Sequence, residues 1–117
     1  MDTSRDTSRE LQFTASVLDD DSKNYHAWSH RLWTVREFSL WASEIDFAAA
    51  FITKDVRNNS AWNHRFAAAT HGGGAAAPLA PGVALEDELE FARAALRLVP
   101  HNESAQVYLD ALLAIGR

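Results

Sequence analysis

A motif written three times limits what this chain can fold into more than any other feature. "ELQFTASVLDDDSKN" starts at Glu10, "EIDFAAAFITKDVRN" at Glu44 and "ELEFARAALRLVPHN" at Glu88, and the three align without gaps. Each opens with Glu, then Leu or Ile, then an acidic or amide residue, then Phe, and each closes at an asparagine: Asn24, Asn58 and Asn102. After those asparagines come "YHAWSHRLWTVREFSLWA", "NSAWNHRFAAAT" and "ESAQVYLDALLAI". Glu10 and Glu44 lie 34 residues apart, Glu44 and Glu88 lie 44 apart, and the extra ten residues fall in "HGGGAAAPLAPG". Units of this length cannot bury an apolar face alone, so they must stack on one another.

Each unit reads as two helices. Leu11, Phe13, Val17 and Leu18 recur near the helical period, as do Ile45, Phe47, Phe51 and Ile52. Trp28, Leu32 and Val35 make a similar face in the second type of segment. Each unit asparagine stands where a side-chain oxygen can accept from the orphan N–H groups of the helix that follows. Thr7 with Glu10, and Ser43 with Asp46, have capping-box spacing ahead of the first-type helices. Pro100 sits at the turn before Asn102, where no helical donor is needed. No stretch alternates β-branched and polar residues, so the expected fold is an all-α solenoid of five to six helices. We read residues 1–117 as one domain, with units at about 10–41, 44–71 and 85–115 and a flexible insertion at 71–83.

The totals agree and exclude some functions. A chain of 117 residues, 47% apolar and 23% charged, suits one globular domain with a modest core. It has no apolar run long enough to cross a bilayer, and "MDTSRDTSRE" lacks the apolar centre of a secretory signal. The absence of cysteine fits a reducing, cytoplasmic setting and removes thiolate zinc sites and thiol nucleophiles. A formal charge of −5 argues against a nucleic-acid partner.

The repeat separates scaffold from candidate site. Positions filled alike in successive units serve what every unit must do, which is to cap and to pack. Asn24, Asn58 and Asn102 belong to that set, as do the small Ala27, Ala61 and Ala105. Trp28 and Trp62 read as wedges between helix pairs, and Arg31 and Arg65 as partners of neighbouring acids. His30 and His64 read as packing or interhelical hydrogen-bonding residues. Tyr25 and His26 break the pattern, because the matching positions hold Asn59 and Ser60, then Glu103 and Ser104. Two hydrogen-bond donors at the positive end of a helix, beside Lys23, suit an anion such as phosphate.

Other chemistries fit less well. His26 and His30 have the four-residue spacing of zinc ligands, but Ala-Trp-Ser lies between them and no third ligand is evident, so no metal is assigned. The glycines of "HGGGAAAPLAPG" have no strand before them and no Gly-Lys-Ser/Thr after them, which sets aside a phosphate-binding loop. No Gly-x-Ser-x-Gly motif supports a serine hydrolase.

"DSKNYHAWSHRLWTVREFSLWASEIDFAAAFITKDVRNNSAWNHRF" closely resembles the alpha subunit shared by protein farnesyltransferase and type I geranylgeranyltransferase, and "ELEFARAALRLVPHNES" fits the same family. The similarity runs from about Arg9 to Leu113. It implies a right-handed alpha–alpha superhelix wrapped around a beta subunit. The family moves a prenyl group from its diphosphate to the cysteine of a C-terminal CaaX sequence in a protein substrate. The resemblance places zinc in the beta subunit and magnesium with the substrate, leaving no cofactor to this chain. It also places Asn24, Tyr25 and His26 near the diphosphate.

The chain departs from the family pattern in two ways. The family carries a preceding unit whose lysine reaches the diphosphate, and Lys23 stands one unit later, so it does not inherit that role. The third unit has Gln106 in place of the tryptophan. The expectation is therefore a fragment of an alpha subunit, or a short paralogue, that acts only with its beta subunit. The alternatives are a non-catalytic helical-repeat adaptor and a Rab-directed alpha subunit.

Overall fold

Three asparagine side chains start three helices in the same way. In the computed structural model, which describes residues 3–72 and 78–116 (side chains from residue 6), Asn24, Asn58 and Asn102 take extended backbone angles. Each accepts from the amide three residues on, that of Ala27, Ala61 or Ala105, at 3.0, 3.2 and 3.2 Å. The helices are α1 (Thr3–Asp20), α2 (Tyr25–Phe38), α3 (Glu44–Lys54), α4 (Asn59–Thr70), α5 (Leu85–Leu98) and α6 (Glu103–Ile115). No strand occurs among the described residues. The Gly-Ala stretch 73–77, within the insertion read as flexible, lies outside the described residues. Its far side is tied down where the Ala80 amide donates to the Ala69 carbonyl (2.8 Å) and Ala80 is buried.

Each pair α1–α2, α3–α4 and α5–α6 is an antiparallel hairpin, and the second helices stack in series, α2 on α4 and α4 on α6. The result is an all-α superhelical repeat, a slab 45 × 35 × 18 Å, which is about two helix layers thick. Trp28, Phe51, Ile52, Trp62, Leu89, Tyr108 and Leu112 form the core, with Ala61, Ala92 and Ala105 allowing close approach.

One joint is built twice from the same parts. Arg31 is 5% exposed; its Nε and Nη2 donate to the two carboxylate oxygens of Glu44 (2.7 and 3.0 Å), and its guanidinium lies 3.4 Å over the Phe47 ring. Arg65 repeats this with Glu88 (2.8 and 3.1 Å) and Phe91 (3.6 Å). The same carboxylates are held from the other side, Glu44 by His64 Nε2 (2.8 Å) and Glu88 by the Tyr108 hydroxyl (2.6 Å). The asparagine caps also reach backwards. Asn58 Nδ2 donates to the Ser22 carbonyl and Asn102 Nδ2 to the Val56 carbonyl, and those two carbonyls also accept from the indoles of Trp28 and Trp62. Every tryptophan–arginine pair thus locks one unit onto the next.

Three expectations are corrected. Thr7 does not cap a helix: α1 runs on upstream to Thr3, which puts Thr7 in its interior, buried. Ser43 occupies the N-cap position of α3 but makes no side-chain cap bond; its ψ of 13° is not the extended geometry of the asparagine caps. Phe13, on the apolar face read from the period, is 64% exposed, because among the described residues no arginine-bearing helix covers it as Arg31 covers Phe47.

Candidate functional site

The first turn of α2 carries the pattern-breaking residues. Tyr25 and His26 are its first two residues, both exposed, with their rings edge to face at 5.8 Å. Tyr25 is 73% exposed, so neither side chain is spent on packing between units. The Asn24 oxygen is committed to the Ala27 amide and the Asn24 carbonyl to the Trp28 amide (3.1 Å). The amides of Tyr25 and His26 have no partner among the described residues, and they point out of the positive end of the helix. The turn therefore exposes four potential donors: a phenol, an imidazole N–H and two backbone amides.

The surrounding charge sets a limit on what that turn can do alone. Asp19, Asp20 and Asp21 are all exposed just ahead of it. Lys23, the nearest cation in sequence, is turned to Asp55 of the next unit at 3.4 Å. Its ammonium is taken up by an acid of the next unit, a physical reason for leaving it out of the site. The turn can contribute hydrogen bonds to an anion, while most of the charge neutralisation must come from elsewhere.

Of the remaining sequence candidates, Asn58, Asn102, Trp28, Trp62, Arg31 and Arg65 are buried or nearly so and engaged in the joints. His30 does not join His26: its Nε2 is bonded to Glu10 Oε2 at 2.7 Å on the exposed flank of α1. No group of three or more potential ligands that could hold a metal occurs among the described residues. None of the described helices is long and apolar enough to cross a membrane.

Sequence reasoning did not single out Glu44 and Glu88, the acids that answer the buried arginines. Their signal was present, since each unit opens with glutamate. Burial by itself would push the Glu44 carboxyl up, but hydrogen bonds from His64 and Arg31, together with their charges, hold it below the ordinary carboxylate value. Burial, then the hydrogen bond to Glu88, pushes the Tyr108 phenol well above its usual range.

Residues 7–38 and 41–71 match the family model described as the protein prenyltransferase alpha subunit repeat. No curated protein sequence matches the chain significantly. A solved structure of Candida albicans protein geranylgeranyltransferase-I complexed with GGPP is similar with a TM-score of 0.78 and 33% identity, over 92% of this chain and 35% of that chain. The chain thus spans about a third of the length of the chain it matches.

Proposed function

Because the chain belongs to the protein prenyltransferase alpha-subunit repeat family, we propose that it acts within a heterodimeric protein prenyltransferase, gripping a beta subunit and meeting the prenyl diphosphate with the first turn of α2. The observation that carries this reading is the pair Tyr25–His26, exposed at a helix N-terminus where the equivalent turns hold Asn59–Ser60 and Glu103–Ser104.

In prenyl transfer the bond between the lipid carbon and the diphosphate oxygen breaks, and negative charge grows on the departing diphosphate. A His26 ring N–H aimed at a diphosphate oxygen strengthens its hydrogen bond as that charge develops, so it favours the transition state over the ground state. The Tyr25 hydroxyl donates beside it, and the free amides of α2 add the helix dipole. Asn24 fixes the turn that aims them. The cations that balance the diphosphate belong to the beta subunit and to magnesium on the substrate, in keeping with the aspartates beside this turn. Zinc, which activates the acceptor cysteine of a CaaX protein, is likewise the beta subunit's to hold. The beta subunit also sets whether the lipid is farnesyl or geranylgeranyl, and the reaction takes place in the cytoplasm.

The test is co-expression with a beta subunit, followed by single-turnover transfer to a CaaX peptide. His26→Ala is expected to slow the chemical step by about 10–100-fold, at or below the lower end of the range for loss of one oxyanion donor. Tyr25→Asn with His26→Ser, which installs the second unit's residues, should do at least as much without changing Tm. A complex that forms but transfers no prenyl group, with or without these changes, would point to a non-catalytic adaptor.

A further inference from the structure

Besides the asparagine clamp, each joint carries a polar strap where its second helices start, and the two joints make that strap from different residues. At the second joint Ser104 Oγ donates to Asn59 Oδ1 at 2.9 Å, which ties the first residue of α4 to the second residue of α6. Tyr25 and Ser60 stand at those places in the first joint. No bond joins them among the described residues, and the Tyr25 ring meets His26 instead. The first joint is strapped further back: Lys23 Nζ lies 3.4 Å from Asp55 Oδ2, which holds the turn ahead of α2 to the turn ahead of α4. The second joint cannot copy this pair. Arg57 stands at the register of Lys23, but Val99 stands at that of Asp55. The ion pair therefore departs from the repeat as Tyr25 and His26 do, and both departures fall at the same turn.

Asp55 is itself held in place. Its Oδ1 accepts from the Arg57 amide (3.0 Å), which leaves Oδ2 to the lysine, and its carbonyl accepts from the Asn58 amide (3.0 Å). Asn58 Nδ2 then reaches the Ser22 carbonyl (2.8 Å), which the Trp28 indole also holds (2.8 Å). Ser22 and Lys23 are thus fixed to the second unit by a hydrogen bond and an ion pair, and Asn24 and Tyr25 follow directly. The Lys23 side chain is 63% exposed and that of Asp55 40% exposed. Such a pair adds little to stability, so its place beside an exposed phenol and imidazole calls for a use other than folding.

We infer that Asp55 is a positioning residue for the Tyr25–His26 turn. Through Lys23 it ties that turn to the second unit, in place of a bond like that between Asn59 and Ser104, and so leaves the Tyr25 hydroxyl free for a ligand oxygen. Lys23 stays outside the site and serves it by being held. This role rests on the diphosphate contact proposed above for the first turn of α2. A donor helps a developing charge only while it is held in line with it, and small misplacements lower the rate with no loss of fold.

The test uses the complex with a beta subunit and transfer to a CaaX peptide. Asp55→Asn keeps an oxygen for the Arg57 amide and removes the charge that holds Lys23. It should slow single-turnover transfer about 3–10-fold, less than loss of the His26 donor itself, with Tm and the KM for peptide unchanged. Lys23→Asp with Asp55→Lys reverses the pair and should restore most of the rate. On top of Tyr25→Asn with His26→Ser, Asp55→Asn should cost nothing further, because Asp55 acts through those two side chains. A rate that Asp55→Asn leaves unchanged or raises overturns the inference. So does a reversed pair no faster than the single variant, a fall in Tm that tracks the rate, or an undiminished loss in the Tyr25 and His26 background. If Asp55→Asn is silent while His26→Ala slows transfer, the positioning role alone falls. If His26→Ala is silent too, or the natural complex transfers nothing, the diphosphate reading falls and takes this inference with it.

Discussion

Replacing Glu44 with glutamine removes the charge at the centre of the first joint while keeping the side chain's shape. Glu44 is fully buried and accepts three hydrogen bonds, two from Arg31 and one from His64. Arg31 would keep the Leu11 carbonyl (2.9 Å), the Thr14 hydroxyl (3.0 Å) and the Phe47 ring, but no counter-charge. An amide NH2 would also face guanidinium N–H groups where a carboxylate oxygen stood. Removing one partner of a buried ion pair costs about 3–5 kcal/mol, because the remaining charge is desolvated and uncompensated. A chain of this length holds roughly 6–18 kcal/mol in all, so the loss is severe. It corresponds to a fall in Tm of about 10–20 °C, read by circular dichroism. Glu10→Gln is the control: the same unit position, half exposed, paired among the described residues with His30 alone, and expected to cost under about 1 kcal/mol. Arg31→Met added to Glu44→Gln should recover part of the loss by removing the stranded charge. The pH dependence has a definite sign. The folded Glu44 carboxyl titrates below its ordinary value of 4.5, so its contribution is present above about 4.5 and is lost as pH falls through the folded value. The glutamine variant should lack that acid limb. Equal losses from Glu44→Gln and Glu10→Gln would refute the claim that the joint is held by buried charge.

Three further outcomes follow from the same geometry. The Tyr108 phenol is raised above its ordinary 10.0, so stability should hold below pH 10 and then fall by up to about 1.4 kcal/mol per pH unit; Tyr108→Phe should flatten that limb in urea titrations run at stepped pH. Asn58→Ala deletes a cap and the bond to the Ser22 carbonyl at a residue 1% exposed, for a loss of about 2–3 kcal/mol by denaturant unfolding. Ser39, at the C-cap of α2, sits in the left-handed region at φ 54°, so Ser39→Gly should gain roughly 0.5–1 kcal/mol by calorimetry.

What could be read from the sequence followed from how local each cause is. The asparagine caps were legible because a cap is settled within four residues, and the repeat supplied three instances of it. That Arg31 and Arg65 would find acids was legible from their recurrence, but which acids was not. The partners are 13 and 23 residues away, and the insertion changes the spacing from one joint to the next. Thr7 shows the limit of a local rule, since the Thr-x-x-Glu spacing also arises inside a helix whose start is set further upstream. Phe13 shows the limit of periodicity, which reports the face a residue occupies and not whether a neighbour covers it. Tyr25 and His26 were found as a departure from the repeat; their exposure became visible only in three dimensions.

That departure carries more weight once the joints are understood. All three second helices begin on the same turn, with the asparagine oxygen committed to one amide and its nitrogen, in the second and third units, to the preceding carbonyl. Stability therefore makes its main demands at Asn, Ala, Trp and Arg; at the first two helical residues the second joint adds one exposed bond, Ser104 Oγ donating to Asn59 Oδ1 (2.9 Å). In the second and third units that place holds Asn–Ser and Glu–Ser, small polar pairs of which Asn59 and Ser104 bond to each other. A phenol and an imidazole at that place meet edge to face but are not packed between units, and three exposed aspartates that disfavour any free anion precede them in the chain. On the proposed reading, donors in such a setting serve an anion whose charge is balanced by another subunit's cations. A shared site at a subunit boundary imposes that condition, and a surface that binds phosphate on its own account does not.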